Sequence, residues 1–387
     1  MGQMIRLGID GRELIPGVRT GIGRYVREIL HAACAKEWDC IVYSNGPVCR
    51  GDIPARVMVK TLPQRWTVWW DQITLPRQLK NDRVSVWLSP YYKAPLMAPC
   101  PTIITIHDLF FIGYPGQARP VYDALMTRLG RIYAGSAAAV IADSDYSKRS
   151  IINRLALHPE KITVIPVALG NEFRREPLTA RIQRTYGLSV PYVLYVGNFK
   201  PHKNIPRLLE AFAGLEVSIR SAHQLVLAGG DHRAIPALHE QARRLNIADR
   251  VKFPGLIDDA DLPALYANCA LFMLPSLSEG FGLPALEAMA CGAPVAASNR
   301  TAIPEVVGEA GLLFDPEHTA DITKAMTELL SDMHRREELR ARGLERARTF
   351  SVDRTAGQVL ELVADVIRRR DACHRKVSVE ESASRAA

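Results

Sequence analysis

The stretch Ser276-Leu-Ser-Glu279-Gly280-Phe281-Gly282-Leu283-Pro284-Ala-Leu-Glu287-Ala-Met-Ala-Cys-Gly292-Ala-Pro294 places glycines and a proline at spacings suited to a helix start that holds an anion, with two carboxylates flanking it. Pro284 fits the first turn of a helix, where its missing N–H would have no partner anyway, and Gly292 with Pro294 punctuates the end. A helix is therefore expected to begin just after Gly282. The unpaired amides of such a start, together with the positive end of the helix dipole, bind phosphate oxygens, and Gly280 and Gly282 let the backbone come close to them. Glu279 lies in the preceding loop and Glu287 in the second turn. A carboxylate beside a phosphate repels it, so these two are suited to accepting hydrogen bonds from sugar hydroxyls. A helix cap with a solvated glutamate meets the same pattern, and the stretch alone leaves both readings open.

Other segments carry reactive or polar side chains at strand ends. Tyr195-Val-Gly-Asn198-Phe-Lys200-Pro-His202-Lys203-Asn204 follows the strand-like run that opens the second half, and ligands of open α/β sheets bind at such carboxyl ends. Gly17-Val-Arg-Thr-Gly21-Ile-Gly23-Arg24-Tyr25 follows the first strand-like run and could aim another helix start at phosphate. Val26 stands where Gly-x-Gly-x-x-Gly needs its third glycine, which counts against a dinucleotide dehydrogenase. His107 and Asp108 follow Thr102 to Ile106 and so project at a carboxyl edge, where a lone histidine is more often structural. Asp143-Ser144-Asp145 has the spacing with which paired carboxylates hold Mn²⁺ or Mg²⁺, a spacing that also arises by chance. Asp258, Asp259 and Asp261 read as a helix-starting cluster. Arg65-Trp66-Thr-Val-Trp69-Trp70 suits either the headgroup layer of a membrane or the core at the start of a helix through Leu79, and the core is the preferred reading.

The elements that position these residues are short β-branched runs, each followed by a polar or glycine-containing loop and a helical stretch, the pattern of βαβ units with parallel strands. Ile5–Ile9, Ile41–Tyr43, Val84–Leu88, Thr102–Ile106 and Ala138–Ala142 form a first series. Tyr192–Val196, Gln224–Ala228, Val251–Phe253, Leu271–Leu274 and Pro294–Ala297 form a second. Between them Ala168–Leu188 is polar and reads as the linker, with the boundary near Gly170. Val359, Leu360, Leu362, Val363, Val366 and Ile367 recur at helical spacing and need a surface to pack on.

A chain of 387 residues, 48% hydrophobic and 23% charged, is comfortable as two globular domains. Its 7 cysteines are scattered and without a Cys-x-x-Cys pair, which suggests structural thiols in a reducing cytoplasm. No stretch reaches the roughly 18 to 20 apolar residues of a membrane span, so a protein soluble in the cytoplasm or peripheral on the cytoplasmic membrane face is expected. The net charge of +8 favours anionic partners, including anionic membrane, without selecting one.

The Glu-x7-Glu spacing of Glu279 and Glu287 in EGFGLPALEAMACGAPV resembles the signature of glycosyltransferase family 4. RVKFPGLIDDADLPALYANCALFMLPS and PEVVGEAGLLFDP are similar to that family in the same order, and GIGRY, HDL and IADSDYSK match its first half more weakly. The resemblance implies an α/β fold of the GT-B type, two Rossmann-like domains with parallel sheets facing a central cleft. Residues 1–170 would form an acceptor-binding domain and 171–351 a nucleotide-sugar-binding domain, with a helix over 352–370 crossing back to the N-terminal domain and 371–387 a flexible tail. It implies transfer of a hexosyl group, with retention, from a nucleotide-diphosphate sugar to a saccharide or lipid-linked saccharide, with no metal or other cofactor and no nucleic acid partner.

In that resemblance Lys203 pairs with the donor diphosphate, Glu279 binds the donor sugar's hydroxyls and Glu287 the ribose. His107 lies against the transferred sugar with Asp108 orienting it. Gly21 and Gly23 form the first-half glycine loop, and Gly280, Phe281, Gly282 and Leu283 the phosphate-facing turn. Many members carry an arginine where this chain has Asn198 or His202, which leaves the number of cationic phosphate contacts open. Ser144 and Ser147 lie in a strand-end segment that needs no metal. Similarity to bacterial mannosyltransferases of surface-polysaccharide assembly makes GDP-mannose the first choice of donor. A sugar-nucleotide epimerase, a glycan phosphorylase and a non-catalytic sugar-nucleotide binding protein stand as alternatives.

Overall fold

Runs of Val, Ile and Leu between polar turns become strands, and the stretches between them become helices laid on the sheets. The structure, a computed structural model, describes residues 5–17, 20–51, 53–113, 119–189, 191–230 and 233–386, with 374–386 as backbone alone. Residues 18 and 19 of the first glycine loop lie outside that set. The chain divides into two units. Unit 1 takes the chain up to Gly113, then Arg119–Ala168 and everything from Val352 onward, and unit 2 takes Leu169–Ser351.

Unit 1 is built on strands β1 (Arg6–Asp10), β2 (Asp39–Ser44), β3 (Met58–Thr61), β4 (Val86–Ser89), β5 (Thr102–Ile106), β6 (Ala139–Ala142) and β7 (Ile162–Val164). They form one parallel sheet in the order β3-β2-β1-β4-β5-β6-β7. Unit 2 has β8 (Tyr192–Gly197), β9 (Gln224–Gly229), β10 (Val251–Gly255), β11 (Leu271–Leu274), β12 (Val295–Ser298) and β13 (Leu312–Phe314), parallel in the order β10-β9-β8-β11-β12-β13. Each order reverses beside its first strand, between β1 and β4 and between β8 and β11. In open parallel sheets ligands bind outside the carboxyl ends of the strands at such a reversal.

The helices used below are α1 (Gly21–Ala35), α2 (Leu75–Asn81), α3 (Pro120–Ser136), α4 (Asp145–Leu155), α5 (Ala180–Tyr186), α6 (Ile205–Ala213), α7 (Leu262–Asn268), α8 (Leu283–Ala290), α9 (Met333–Arg348) and α10 (Val352–Ala386). Among the described residues no helix is long and apolar enough to cross a membrane. Helix α10 packs on unit 1, where Val359, Leu360, Val363 and Val366 are buried in one cluster with Leu7, Val26, Ile29 and Leu30. Thr355 Oγ1 adds a hydrogen bond to the Pro166 carbonyl at 2.8 Å. Each buried aliphatic side chain of that seam contributes on the order of 2 kcal/mol, enough to hold the returning helix.

The structure departs from the sequence reading in several places. Residues 371–386, whose polarity predicts a flexible tail, continue α10 as helix; the segment contains neither Gly nor Pro and is rich in good helix formers. Of Ala168–Leu188, read as a linker, all but Ala168 belongs to unit 2, and the segment contains α5. Thr179 caps that helix by accepting from the Ile182 amide, while Arg181 and Tyr186 both hydrogen bond to Asp261. Asp261 does sit at the start of α7, but its side chain holds Arg181 instead of capping.

The tryptophan segment is the other departure. Trp70 is fully buried, with its Nε1 donating to the Leu62 carbonyl and the Arg12 guanidinium 4.4 Å from its ring centre. Arg12 is itself held by Asp10 and Asp71. Trp66 and Trp69, expected in the core, are exposed. The helical turn Thr67–Trp69 has no buried residue, and only with Trp70, in the π-helical turn that leads into α2, does the segment reach the core beside Tyr43 and Trp87.

Candidate active site

In unit 2 the chain leaves β8 and β11, the strands flanking the reversal, into two segments that are stitched together. After β8, Asn198 is exposed; its carbonyl accepts from Tyr195 Oη at 2.7 Å and its Oδ1 from the Lys200 amide at 3.2 Å, shaping the turn. A single 3₁₀ turn, Pro201–Lys203, follows. Asn204 then adopts a left-handed conformation with φ 61°, which asparagine tolerates better than most residues. Its Nδ2 donates to the carbonyls of Pro275 at 3.1 Å and Pro316 at 2.7 Å. The Leu277 amide donates to the His202 carbonyl at 2.7 Å, closing the stitch.

This framework brings Lys203 and Glu279 together. Lys203 Nζ donates to Glu279 Oε1 at 2.6 Å, and Ser276 Oγ donates to the same oxygen at 2.6 Å. The Glu279 amide donates to Thr301 Oγ1 at 3.0 Å. Both charged side chains are buried, so each supplies the compensation without which the other would be strongly disfavoured. His202 beside them is buried as well, and desolvation, reinforced by the Lys203 charge, lowers its pKa to about 4. It is neutral at pH 7 and does not replace the missing arginine as a cation.

Helix α8 begins at Leu283, as the position of Pro284 predicts. Gly282 before it has φ 103°, a backbone conformation favoured by glycine. The Ala285 amide donates to the Gly282 carbonyl at 3.0 Å and Pro284 has no N–H, so neither is a spare donor at this helix start. Phe281 is buried edge-on against Phe350, 5.8 Å between ring centres, which seats the loop that carries Gly280. At the far end Arg340 of α9 donates to the Gly292 carbonyl at 2.6 Å. Glu287 accepts from Tyr266 Oη of α7 at 3.0 Å through Oε2.

In unit 1, Thr20 caps α1 by accepting from the Gly23 amide at 2.9 Å, with Gly21 the first helical residue. A side chain at position 23 would meet the Glu13 carbonyl at 2.8 Å, so the close approach of loop and helix requires glycine there. His107 follows β5, and its Nδ1 lies 2.8 Å from Asp143 Oδ2. An ionised carboxylate only accepts, so Nδ1 carries the proton in that bond. Burial by itself would lower the His107 pKa, but the charge and hydrogen bond of Asp143, with Asp108 contributing less, hold it above the ordinary histidine value. Tyr25 of α1 packs edge-on against the imidazole at 5.6 Å and its hydroxyl is 3.3 Å from Thr105 Oγ1.

Asp143 thus takes the position at His107 Nδ1 expected of Asp108, whose Oδ1 instead accepts from the Phe110 amide at 2.9 Å. The Asp-x-Asp carboxylates are divided: Asp143 serves His107, and Asp145 is the first residue of α4, which Ser144 caps by accepting from the Ser147 amide at 3.0 Å. Among the described residues no three His, Cys, Asp or Glu side chains gather as a metal-binding set. The sequence reading missed Ser276, Thr301, Tyr266 and the role of Asp143. For Asp143 a signal existed, because β5 and β6 are adjacent with Ile106 paired to Ala142, so His107 and Asp143 leave the sheet side by side.

The family described as Glycosyltransferase Family 4 matches residues 19–169, and that described as Glycosyl transferases group 1 matches residues 182–346. The chain is 36% identical over 362 residues to the O-antigen chain mannosyltransferase B of Escherichia coli, covering 88% of this chain and 95% of that one. It is 33% identical over 279 residues to the serotype-specific mannosyltransferase WbdA of Escherichia coli, 68% of this chain but 33% of that longer one. Among solved structures, Anabaena Alr3699/HepE in complex with UDP and glucose superposes with a TM-score of 0.75 at 20% identity, over 93% of this chain and 100% of that chain. These likenesses run through both units and carry the fold as well as the sequence, and the chain belongs to glycosyltransferase family 4, a glycosyltransferase of GT-B fold.

Proposed function

We propose that the chain transfers a mannosyl group from GDP-mannose, with retention at the anomeric carbon and without a metal ion, to a saccharide or lipid-linked saccharide in polysaccharide assembly. The observation that carries the reading is the Lys203–Glu279 pair at the reversal point of the unit 2 sheet, beside the start of α8. The mannosyltransferase relatives support the choice of sugar.

In this reading the donor's diphosphate takes Lys203 Nζ and the amides of Gly282 and Leu283 as its donors. Glu279, released from Lys203, accepts from the sugar's hydroxyls, and Glu287 from the ribose. The acceptor hydroxyl attacks the anomeric carbon on the face from which the diphosphate leaves. The carbon–phosphate-oxygen bond breaks with its electron pair on the diphosphate, and the hydroxyl proton passes to that leaving oxygen. Lys203 and the helix start stabilise the growing charge, the largest contribution such preorganised sites make. His107, held by Asp143, supplies a hydrogen bond to the transferred sugar.

The test is a thermal-shift screen of GDP-mannose, UDP-glucose and ADP-glucose followed by product analysis with a mannose-bearing acceptor. Selective stabilisation by GDP-mannose is expected, since preferential binding to the folded state raises its unfolding temperature, together with an α-linked product. A shift with UDP-glucose alone removes the donor assignment, and a β-linked product removes retention.

A further inference from the structure

Unit 1 displays apolar side chains that its own core does not take up. Trp66 is 76% exposed, Val68 71% and Trp69 55%, and Met97 beside them is 86% exposed. The two stretches form one surface because Gln72, one turn after Trp69, donates to the Ala94 carbonyl at 3.3 Å and accepts from the Leu96 amide at 2.9 Å. Helix α3 borders the same place, with Tyr133 hydrogen-bonded to Gln72. Its solvent side carries Val121, 85% exposed, then Leu125 and Ile132 at helical spacing, while Gly130 and Ala134 on the opposite side are buried. An ordinary surface helix shows the reverse pattern, and contiguous exposed apolar area of this kind marks an interaction site.

The charges among these side chains have one predominant sign. Arg65, Arg119, Arg128 and Arg131 are exposed and Lys93 lies 5.2 Å over the Tyr92 ring, against the single carboxylate Asp123 in these segments, which accepts from the Arg119 amide. The Arg119 guanidinium also sits 4.2 Å over the Tyr122 ring. Tryptophan and tyrosine mixed with arginine and lysine suit the headgroup layer of a bilayer, where rings enter the interface and cations meet lipid phosphates. The apolar side chains spread over two helical segments and a loop instead of gathering around one pocket, as the anchor of a protein interface would.

We propose that this face of unit 1, formed by residues 65–69, 92–97 and the outer side of α3, docks on an anionic lipid bilayer. The proposal goes beyond the donor and acceptor reading and stands without it. Docking places the aromatic and aliphatic side chains at the headgroup boundary while Arg65, Lys93, Arg119 and Arg128 pair with lipid phosphates.

Co-sedimentation of the full chain with vesicles tests it. The protein is expected to bind phosphatidylglycerol–phosphatidylcholine vesicles at low salt, to be weakened by high salt as surface charge pairing is screened, and to ignore pure phosphatidylcholine. Trp66→Ser with Trp69→Ser should lower the bound fraction at least about tenfold while thermal unfolding and donor turnover stay unchanged. Val121→Ser with Leu125→Ser on α3 gives an independent variant should the first fold poorly. Failure of the wild type to bind the anionic vesicles at low salt overturns the proposal, as does binding that both variants leave intact. Loss of self-association in the variants with no change in vesicle binding assigns the surface to a second copy of the chain instead.

Discussion

Lys203 and Glu279 lie 76 residues apart in the chain, yet Nζ and Oε1 meet at 2.6 Å. The meeting follows from topology. Lys203 leaves the sheet after β8 and Glu279 after β11, adjacent parallel strands that share the Val193–Leu271 and Leu194–Phe272 register. Asn204, donating to the Pro275 carbonyl, fixes one segment against the other. A cation and a carboxylate are thereby held ready at one edge of the sheet, mutually compensated before any ligand arrives.

Separating fold from function at this pair calls for more than single substitutions. Lys203→Ala and Glu279→Ala are each expected to lower kcat/KM by about 100-fold or more, the scale of losing one preorganised charge contact. Each also strands a buried charge, at a stability cost of about 3–5 kcal/mol. The double variant Lys203→Met/Glu279→Gln should recover most of that stability in urea unfolding while transfer stays impaired. Recovery of transfer along with stability would reduce the pair to a structural role.

Asp143→Asn tests the orientation of His107. The Asp143 carboxylate raises the His107 pKa in the folded chain, so the stability this interaction adds is full below the ordinary histidine value of about 6.5 and is lost as pH rises through the higher folded value. The melting-temperature gap between wild type and Asp143→Asn should therefore be wide near pH 5.5 and narrow by about pH 8.5. The inflection that His107 imposes on kcat/KM should move to lower pH in the variant. A constant gap and an unmoved inflection would mean that Asp143 does not act through His107.

Gly282→Ala isolates backbone strain. An added Cβ meets nothing nearer than 3.6 Å, but φ at this position is 103°. Conformation alone should cost about 1–3 kcal/mol, read by denaturant unfolding, and the displaced start of α8 should weaken nucleotide binding. Unaltered stability would show that the turn relaxes at no cost.

Metal independence has its own test. EDTA should leave the transfer rate unchanged, since Asp143 is engaged with His107 and Asp145 opens α4. Loss of activity with EDTA and recovery with Mn²⁺ would return the Asp-x-Asp carboxylates to consideration as metal ligands.

What the sequence made legible follows physical lines. Thr102–Ile106 and Leu271–Leu274 are made of β-branched or apolar residues and are buried throughout because neighbours cover both faces, and the structure gives the same bounds. Met58–Thr61, Ile162–Val164 and Leu312–Phe314 escaped notice because they are short edge strands, half exposed and tolerant of polar residues. The start of α8 was readable from Pro284 and Gly282, because local backbone chemistry dictates it. The partners of Glu279, Ser276 three residues before it and Lys203 far upstream, depend on how strands order themselves in the sheet. Trp66 and Trp69 misled for a related reason: composition reports that a tryptophan wants an apolar neighbour, not whether the sheet has a second place for one.

The most direct measurement is a crystal structure of the chain with GDP-mannose bound. The pyrophosphate should lie within hydrogen-bond distance of Lys203 Nζ and the Leu283 amide, with Glu279 turned from Lys203 to the mannose hydroxyls. Nucleotide density away from the start of α8, with the Lys203–Glu279 pair undisturbed, would contradict the account.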